Sequence, residues 1–304
     1  MSWNPAGPNP CVPLPLQAIC EKYVLWPFGN ICNFGCPYCF GQFVAGVPKP
    51  RDWTEAQAIA GFQDFYEDYG AAFVLMAGAE PTLEIPLVAA VLQQHYGSIS
   101  TNLSCDLDVF CTAIPPDRVY LHPTFHPLGW DMEIEPFMAR VRTLKARGYE
   151  VPLVALVGYP PFLPRLHEYV AAIEAEDCYA NIAPARFPAV YEGRNLPQDY
   201  TEEELAILMP YVGRYSQFDE HAVVKPLRVV ACAAGVATMC IMPNGHVQRC
   251  SQVAVGMEEA NFMQSGHIKF LDEPLPCDQP QCQCGNLYCY HITDEVAPGE
   301  GQKR

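Results

Sequence analysis

From residue 22 to residue 186, short apolar runs alternate with longer amphipathic stretches, and this rhythm constrains the fold more than any other feature. "KYVLWP", "AFVLMAG", "SISTN", "DRVYLHPTF", "VPLVALVGY" and "CYANIAPA" are strand-like. The segments between them include three clear helices. "TEAQAIAGFQDFYEDYG" starts on a capping box, Thr54 with Gln57, and stops at Gly70. "IEPFMARVRTLKARGY" carries its basic residues near the C-terminal end, where the helix dipole favours them, and "LPRLHEYVAAIEAED" is amphipathic. "LEIPLVAAVLQQHYG" is expected to be a further helix. Five or six β-α units in series predict an α/β chain with a parallel sheet or partial (β/α)6 TIM-like barrel. Ligand sites in such folds lie at the C-terminal ends of the strands. Four segments fall there: the loop "ICNFGCPYCFGQ", "AGAEP", "TNLS" and "HPTFHP".

The first of these loops places Cys32, Cys36 and Cys39 at C-x3-C-x2-C spacing, with Gly35 and Pro37 for turns and Tyr38 and Phe40 as aromatics. Three thiols are one fewer than a structural zinc site or a ferredoxin-type cluster takes from the protein. A zinc knuckle with a distant fourth ligand is one reading; a catalytic centre with an open position is the other. Fifteen cysteines, an odd number, favour metal ligation over a disulfide framework. Seven of them crowd the last quarter: Cys232, Cys240, Cys250, Cys277, Cys282, Cys284 and Cys289.

Charge and hydropathy narrow the function classes. A formal charge of −16 with 18 basic residues disfavours nucleic acid and anionic membrane as partners. The N-terminal stretch has no basic region leading into an apolar core, and the longest apolar runs are short and contain prolines. A soluble, cytoplasmic protein is the expectation.

The cysteine loop, with an aromatic just before its third cysteine, resembles the signature of the radical S-adenosylmethionine (SAM) superfamily. The resemblance implies that Cys32, Cys36 and Cys39 bind three irons of a 4Fe–4S cluster whose fourth iron takes SAM. "AGAEP" resembles that family's GGEP segment, so Gly78, Ala79 and Glu80 would meet the SAM ammonium group. Ala77 and Ala79 depart from the family pattern, and alanine is costly where positive φ is needed. Asn102 in "TNLS" would contact the SAM ribose or carboxylate, and Thr124 in "HPTFHP" the carboxylate. A turn-forming asparagine and a capping threonine remain open for these two. Tyr38 is the cofactor-side aromatic. His122 and His126 are candidates for acid/base work or SAM contact, and also for plain structure. Cys105, Cys111 and Cys178 are buried structural cysteines or, for one of them, a hydrogen-atom donor.

"CAAGVATMCIMPNGHVQRC" resembles the first half of the SPASM or twitch domains that carry auxiliary clusters, with "PNG" as a hairpin suited to a type I′ turn. The second half departs: Cys277, Cys282, Cys284 and Cys289 follow C-x4-C-x-C-x4-C. One or two auxiliary 4Fe–4S clusters are implied, one using Cys232 and Cys250 with two of the last group. Structural zinc also suits such spacing.

The expected organisation is an N-terminal extension over 1–20, the partial barrel over 21–195, a connector and helix over 196–228, and a small cysteine-rich iron–sulfur domain over 229–304. The resemblance implies reductive cleavage of SAM and hydrogen abstraction from a peptide or small-molecule substrate in natural-product (RiPP, sugar or nucleoside) biosynthesis. It also implies a flavodoxin- or ferredoxin-type electron donor and, for a peptide substrate, a separate recognition protein. The competing class is a non-catalytic iron–sulfur or zinc protein serving electron transfer or as a scaffold.

Overall fold

The computed structural model describes residues 20–186, 189–212, 231–232, 234–250, 260–273, 275 and 291–292; of 231, 232, 291 and 292 it describes the backbone. Six parallel strands lie side by side in chain order: β1 (Tyr23–Pro27), β2 (Phe73–Ala77), β3 (Tyr96–Thr101), β4 (Val119–Phe125), β5 (Leu153–Gly158) and β6 (Tyr179–Pro184). The helices between them are α1 (Glu55–Tyr69), α2 (Ile85–Leu92), α3 (Leu107–Ala113), α4 (Ile134–Ala146) and α5 (Leu166–Glu174). This is the α/β, partial-barrel arrangement expected from the alternating pattern.

Local signals explain most element ends. Thr54 and Gln57 form both halves of the capping box of α1, and Gly70 closes it at φ 70°. Its buried positions, Ala58, Gly61, Phe62 and Phe65, follow helical spacing and face the sheet. Two elements differ from the sequence expectation. The helix after β2 stops at Leu92, and Tyr96 and Gly97 belong to β3. Gly97 packs so close to β2 that a Cβ there would lie 2.4 Å from the Val74 carbonyl oxygen. Helix α3 was not expected. It is capped by Asp106, whose Oδ1 accepts from the Asp108 and Val109 N–H groups, but it buries only Phe110, too little for a periodic signal.

Strand β10 (Thr238–Ile241) pairs parallel with β1, joining Tyr23 to Thr238 and Leu25 to Cys240, and β11 (Val247–Gln248) pairs antiparallel with β10. Part of the segment assigned to a separate cysteine-rich unit therefore completes an eight-stranded sheet. The β10–β11 hairpin is present, but its turn is not type I′. Gly245, not Asn244, takes positive φ (83°), because Pro243 at the first central position holds φ negative. Beyond β6 lie two short paired strands, β7 (Val190–Tyr191) and β8 (Arg194–Asn195), and then α6 (Glu202–Leu208), capped by Thr201 and Glu204. A second two-stranded ladder joins β9 (Ala231–Cys232) to β12 (His291–Ile292).

The segment 260–273 lies on α1. Phe262 stacks edge-on against Phe62, Phe270 against Phe65, and the Tyr69 hydroxyl donates to the Ile268 carbonyl at 2.7 Å. Gly61 and Gly266 allow the closest approach, since a Cβ on Gly266 would sit 1.8 Å from the Gly61 oxygen.

Side-chain alternation splits the sheet into two faces. Val74, Met76, Ile99, Leu121, Phe125, Leu156 and Ile182 face the helices and form the main core. Tyr23, Phe73, Leu75 and Tyr120, with Cys20, form a smaller apolar cluster on the other, inner face. Among the described residues, no helix is long and apolar enough to cross a membrane.

Candidate functional site

The C-terminal ends of β1 to β3 bring the cysteine loop, "AGAEP" and "TNLS" together. The loop after β1 is tied down by its own backbone: Cys39 N–H donates to Cys36 O at 3.0 Å, Gly46 N–H to Cys32 O at 2.7 Å, and Lys49 N–H to Asn30 O at 2.6 Å. Glu80 N–H donates to Ile31 O at 3.0 Å, joining this loop to the turn after β2. Gly29 permits that contact, because a Cβ there would lie 2.6 Å from the Gly78 oxygen. Gly78 and Ala79 take successive positive φ values of 79° and 45°. Ala79 thus holds the left-handed conformation that its Cβ disfavours, at a cost of about 1–2 kcal/mol.

Glu80 is buried at 1% exposure and turns inward. Its Oε1 accepts from Thr82 N–H (3.1 Å), Thr82 Oγ1 (2.5 Å) and Thr101 Oγ1 (2.7 Å), and its Oε2 from Asn102 N–H (2.6 Å). Burial raises the pKa of this carboxyl, against the pull of the Thr82, Asn102 and Thr101 donors. One side chain therefore fastens the turn after β2 to the turn after β3. Thr82 and Thr101 were not identified from the sequence. Thr101 lies inside a quoted motif, and Thr82 gave no signal.

Asn102 is buried and reaches toward the cysteine loop. Its Nδ2 lies 3.9 Å from Cys32 Sγ and donates to Asn33 Oδ1 at 3.0 Å, and its carbonyl accepts from Trp130 Nε1 at 3.3 Å. Its Oδ1 also accepts from Ser104 N–H at 2.9 Å, the local bond of an Asx turn. Leu103, next in the chain, has φ 56° and donates its N–H to Thr101 Oγ1 at 3.0 Å.

Cys32, Cys36 and Cys39 are all half-buried. Burial raises the pKa of the Cys32 thiol, partly offset by the Phe34 N–H, while negative charge at Glu80 and Cys39 pushes it further up. Burial also pushes Cys36 up to about 11, offset in part by a hydrogen bond from Tyr38, with Cys32 and Cys39 adding to the rise. The three sulfurs thus lie within electrostatic reach of one another. A mutually repelling set of buried thiolates needs cationic charge to form, which bound iron would provide. Among the described residues no three Cys, His, Asp or Glu side chains converge closely enough to grip a single metal ion. The donor set fits an iron–sulfur cluster held by thiolates at the strand ends.

Tyr38 is buried beneath the loop. Its ring packs on Tyr159 and Phe162, and its hydroxyl is 3.1 Å from His126 Nδ1. Burial lowers the pKa of His126 to about 4, which favours its neutral form. Thr124 belongs to β4 itself, half-exposed, and His122 is buried two residues earlier on the same face.

Cys240 lies in β10 with its thiol pushed up to about 12 by burial, and Cys250 is near enough to add to the rise. Cys232 is described in its backbone only, and Cys277, Cys282, Cys284 and Cys289 lie outside the described residues. Among the described residues no disulfide joins two cysteines, Cys105, Cys111 and Cys178 included.

Solved structures share this architecture. anSMEcpe with bound AdoMet and a Cp18Cys peptide aligns over 81% of this chain and 78% of its own, at 13% identity and a TM-score of 0.54. A histidine-tagged form of anSMEcpe with bound AdoMet aligns over 81% and 79%, at 15% identity and a TM-score of 0.55. The chain has the radical SAM fold. No family model matches the sequence, and no curated protein matches it. At such identities the likeness establishes the fold alone. Within the radical SAM fold, the cysteine loop and the turns after β2 and β3 occupy the strand-end edge where open α/β sheets bind ligands.

Proposed function

We propose that this chain is a radical SAM enzyme acting on a peptide or small-molecule substrate. The observation that carries the reading is the convergence of three half-buried thiols, the Gly78–Ala79–Glu80 turn and Asn102 at one edge of a parallel sheet. Cys32, Cys36 and Cys39 would hold a 4Fe–4S cluster. When bound, that cluster would pass one electron to the sulfonium of SAM and so release a 5′-deoxyadenosyl radical able to take a hydrogen atom from substrate. The protein's own part is to hold and orient. The strained Gly78–Ala79 turn would present backbone groups to SAM, and the Glu80 carboxylate ties that turn to the Asn102 N–H. A carboxylate with four protein donors acts on SAM through the backbone it fixes rather than by direct contact. Asn102 would orient Cys32 and the adjacent SAM groups.

The same reading extends to an auxiliary cluster in the C-terminal segment, which would use Cys232 and Cys250 with two of Cys277, Cys282, Cys284 and Cys289. The electron donor in this reading is of flavodoxin or ferredoxin type, and the setting is natural-product biosynthesis in the cytoplasm. If the substrate is a peptide, a separate protein would recognise it.

The test is anaerobic reconstitution followed by SAM and dithionite, with 5′-deoxyadenosine as the product measured. Production that disappears in Cys36→Ala supports the proposal. Fully loaded protein that makes none, or makes as much without Cys36, overturns it in favour of an electron-transfer or scaffold role. Iron counts near about eight per chain support an auxiliary cluster, and counts near about four refute it.

A further inference from the structure

The segment 260–273 crosses α1 as a strap with an anchor at each end. At its start Val247 N–H donates to Ala260 O and Phe262 N–H to Gly245 O, both at 2.9 Å, which ties it to the β10–β11 hairpin. Near its other end Leu271 N–H donates to Gly235 O at 2.8 Å. Between the anchors burial alternates: Gly266, Ile268 and Phe270 are buried, whereas His267 and Lys269 are exposed. A polar cluster joins this exposed side to α1. Asp64 and Asp68 stand one helical turn apart on α1, where like charges repel. Asp64 Oδ2 accepts from Gly266 N–H at 3.0 Å, and Asp64 Oδ1 lies 3.9 Å from His267 Nε2. His267 Nδ1 is 3.0 Å from Asp68 Oδ2. One imidazole thus faces two carboxylates, one at each ring nitrogen. Only the imidazolium carries a proton on both nitrogens; the neutral ring must turn a lone pair toward one carboxylate. Glu67 on α1 adds a third negative charge, and Lys269 is the nearby cation on the strap itself.

We propose that His267, Asp64 and Asp68 form a pH-sensitive latch, which holds the strap on α1 while His267 is protonated and loosens it as the proton leaves. The hydrogen bond to Asp68 raises the His267 pKa above its ordinary 6.5, the charges of Asp68, Asp64 and Glu67 raise it further, and desolvation opposes them. The side chain is 54% exposed, so it exchanges its proton with solvent while the strap stays docked. A histidine whose pKa is raised by docking contributes fully below its undocked value and loses that contribution as pH rises through the docked one. The latch is therefore closed in mildly acidic solution and open in mildly alkaline solution, the range in which histidine changes charge. An exposed pair is weak, so the effect is local: about two- to fivefold in the strap's opening equilibrium. Phe262 and Phe270, packed on Phe62 and Phe65, keep the rest of the interface in place. The latch would operate whether or not the chain cleaves SAM.

Amide hydrogen exchange on the full chain, corrected for intrinsic exchange, tests this at about pH 6 and about pH 8. The strap is compared with β2, which lies in the core and should keep its protection at both. In the parent, protection of the strap should fall about two- to fivefold at the higher pH. His267→Gln should be loose at both pH values, and His267→Lys, which keeps the charge, should be held at both. NMR titration of the His267 ring should give a pKa above 6.5 that drops in Asp68→Asn. His267 and Asp68 are exposed and Asp64 half-buried, so these substitutions spare the core. Strap protection that ignores pH in the parent would overturn the latch, as would an equal fall in His267→Gln or His267→Lys. A His267 pKa at or below 6.5 would overturn it as well.

Discussion

Glu80→Gln exchanges one carboxylate oxygen for an NH2 group in a pocket lined by donors. Four donors meet the carboxylate: two N–H groups, from Thr82 and Asn102, and two hydroxyls, from Thr82 and Thr101. The hydroxyls can rotate to accept from the amide, but the backbone N–H groups cannot. The least costly orientation turns the glutamine oxygen toward Asn102 N–H and leaves Thr82 N–H facing the NH2. One buried unpaired N–H costs about 1–3 kcal/mol, and the remaining bonds lose their charge-assisted strength. Some of this is recovered, because burial already disfavours the ionised form of Glu80. The net loss should be about 2–3 kcal/mol, or roughly 3–5 °C in Tm for a chain of this size. Thermal unfolding of the metal-free protein measures it, and Glu80→Ala, which strands all four donors, should cost more. Iron bound after reconstitution should fall as well, since the turn is joined to the cysteine loop through Glu80 N–H and Ile31 O. Stability within about 0.5 kcal/mol of the parent would show that the carboxylate does not organise the site.

Three further outcomes follow from the packing. His95 is fully buried, with Nδ1 accepting from Ala72 N–H and Nε2 facing Phe62 O, and burial lowers its pKa from 6.5 to about 4. It is neutral when folded and protonates first in the unfolded chain. Its contribution is therefore complete above the unfolded pKa and declines as pH falls toward the folded value, by about 3 kcal/mol in all. His95→Gln should flatten urea-unfolding stability between those limits. Gly266→Ala would drive a Cβ to 1.8 Å from the Gly61 backbone oxygen. The segment 260–273 should then loosen on α1, at a cost of about 1–3 kcal/mol, with faster limited proteolysis there. Gly29→Ala would press on the Gly78 oxygen at 2.6 Å and should lower iron loading more than global stability, as iron analysis beside thermal unfolding would show.

The parallel sheet and the position of the site were legible because each rests on local signals: strand-length apolar runs, a capping box at Thr54, and cysteines at fixed spacing. What was not legible depends on contacts between distant residues. Thr82 and Thr101 are 19 positions apart and come together at the Glu80 carboxylate, with their own hydroxyls 3.4 Å apart. Strand β10 is four residues long and sits beside β1 across more than two hundred positions, so its pairing left no trace in the local pattern. Helix α3 lacked an apolar stripe because only Phe110 is buried. Asn102 was legible as a turn residue at a strand end. Its approach to Cys32 depends on Asn33 and Trp130, which no motif linked to it.

Ala79 connects these two kinds of information. Alanine in place of glycine predicted a cost where positive φ is needed, and the chain takes that φ regardless. Leu103 does the same one strand over. Left-handed non-glycine residues persist only where their surroundings over-determine them. Here the determinants are the bonds that also build the site. Glu80 N–H to Ile31 O holds the turn at Ala79, Leu103 N–H to Thr101 Oγ1 holds the turn at Leu103, and the Glu80 carboxylate joins the two. Relaxing the first turn with Ala79→Gly while keeping those bonds should therefore leave the metal-free protein at least as stable as the parent, since glycine relieves about 1–2 kcal/mol of strain against about 0.5–1 kcal/mol of added chain entropy. A marked loss of stability would mean that the Ala79 methyl, rather than the hydrogen-bond lattice around Glu80, holds the turn in place.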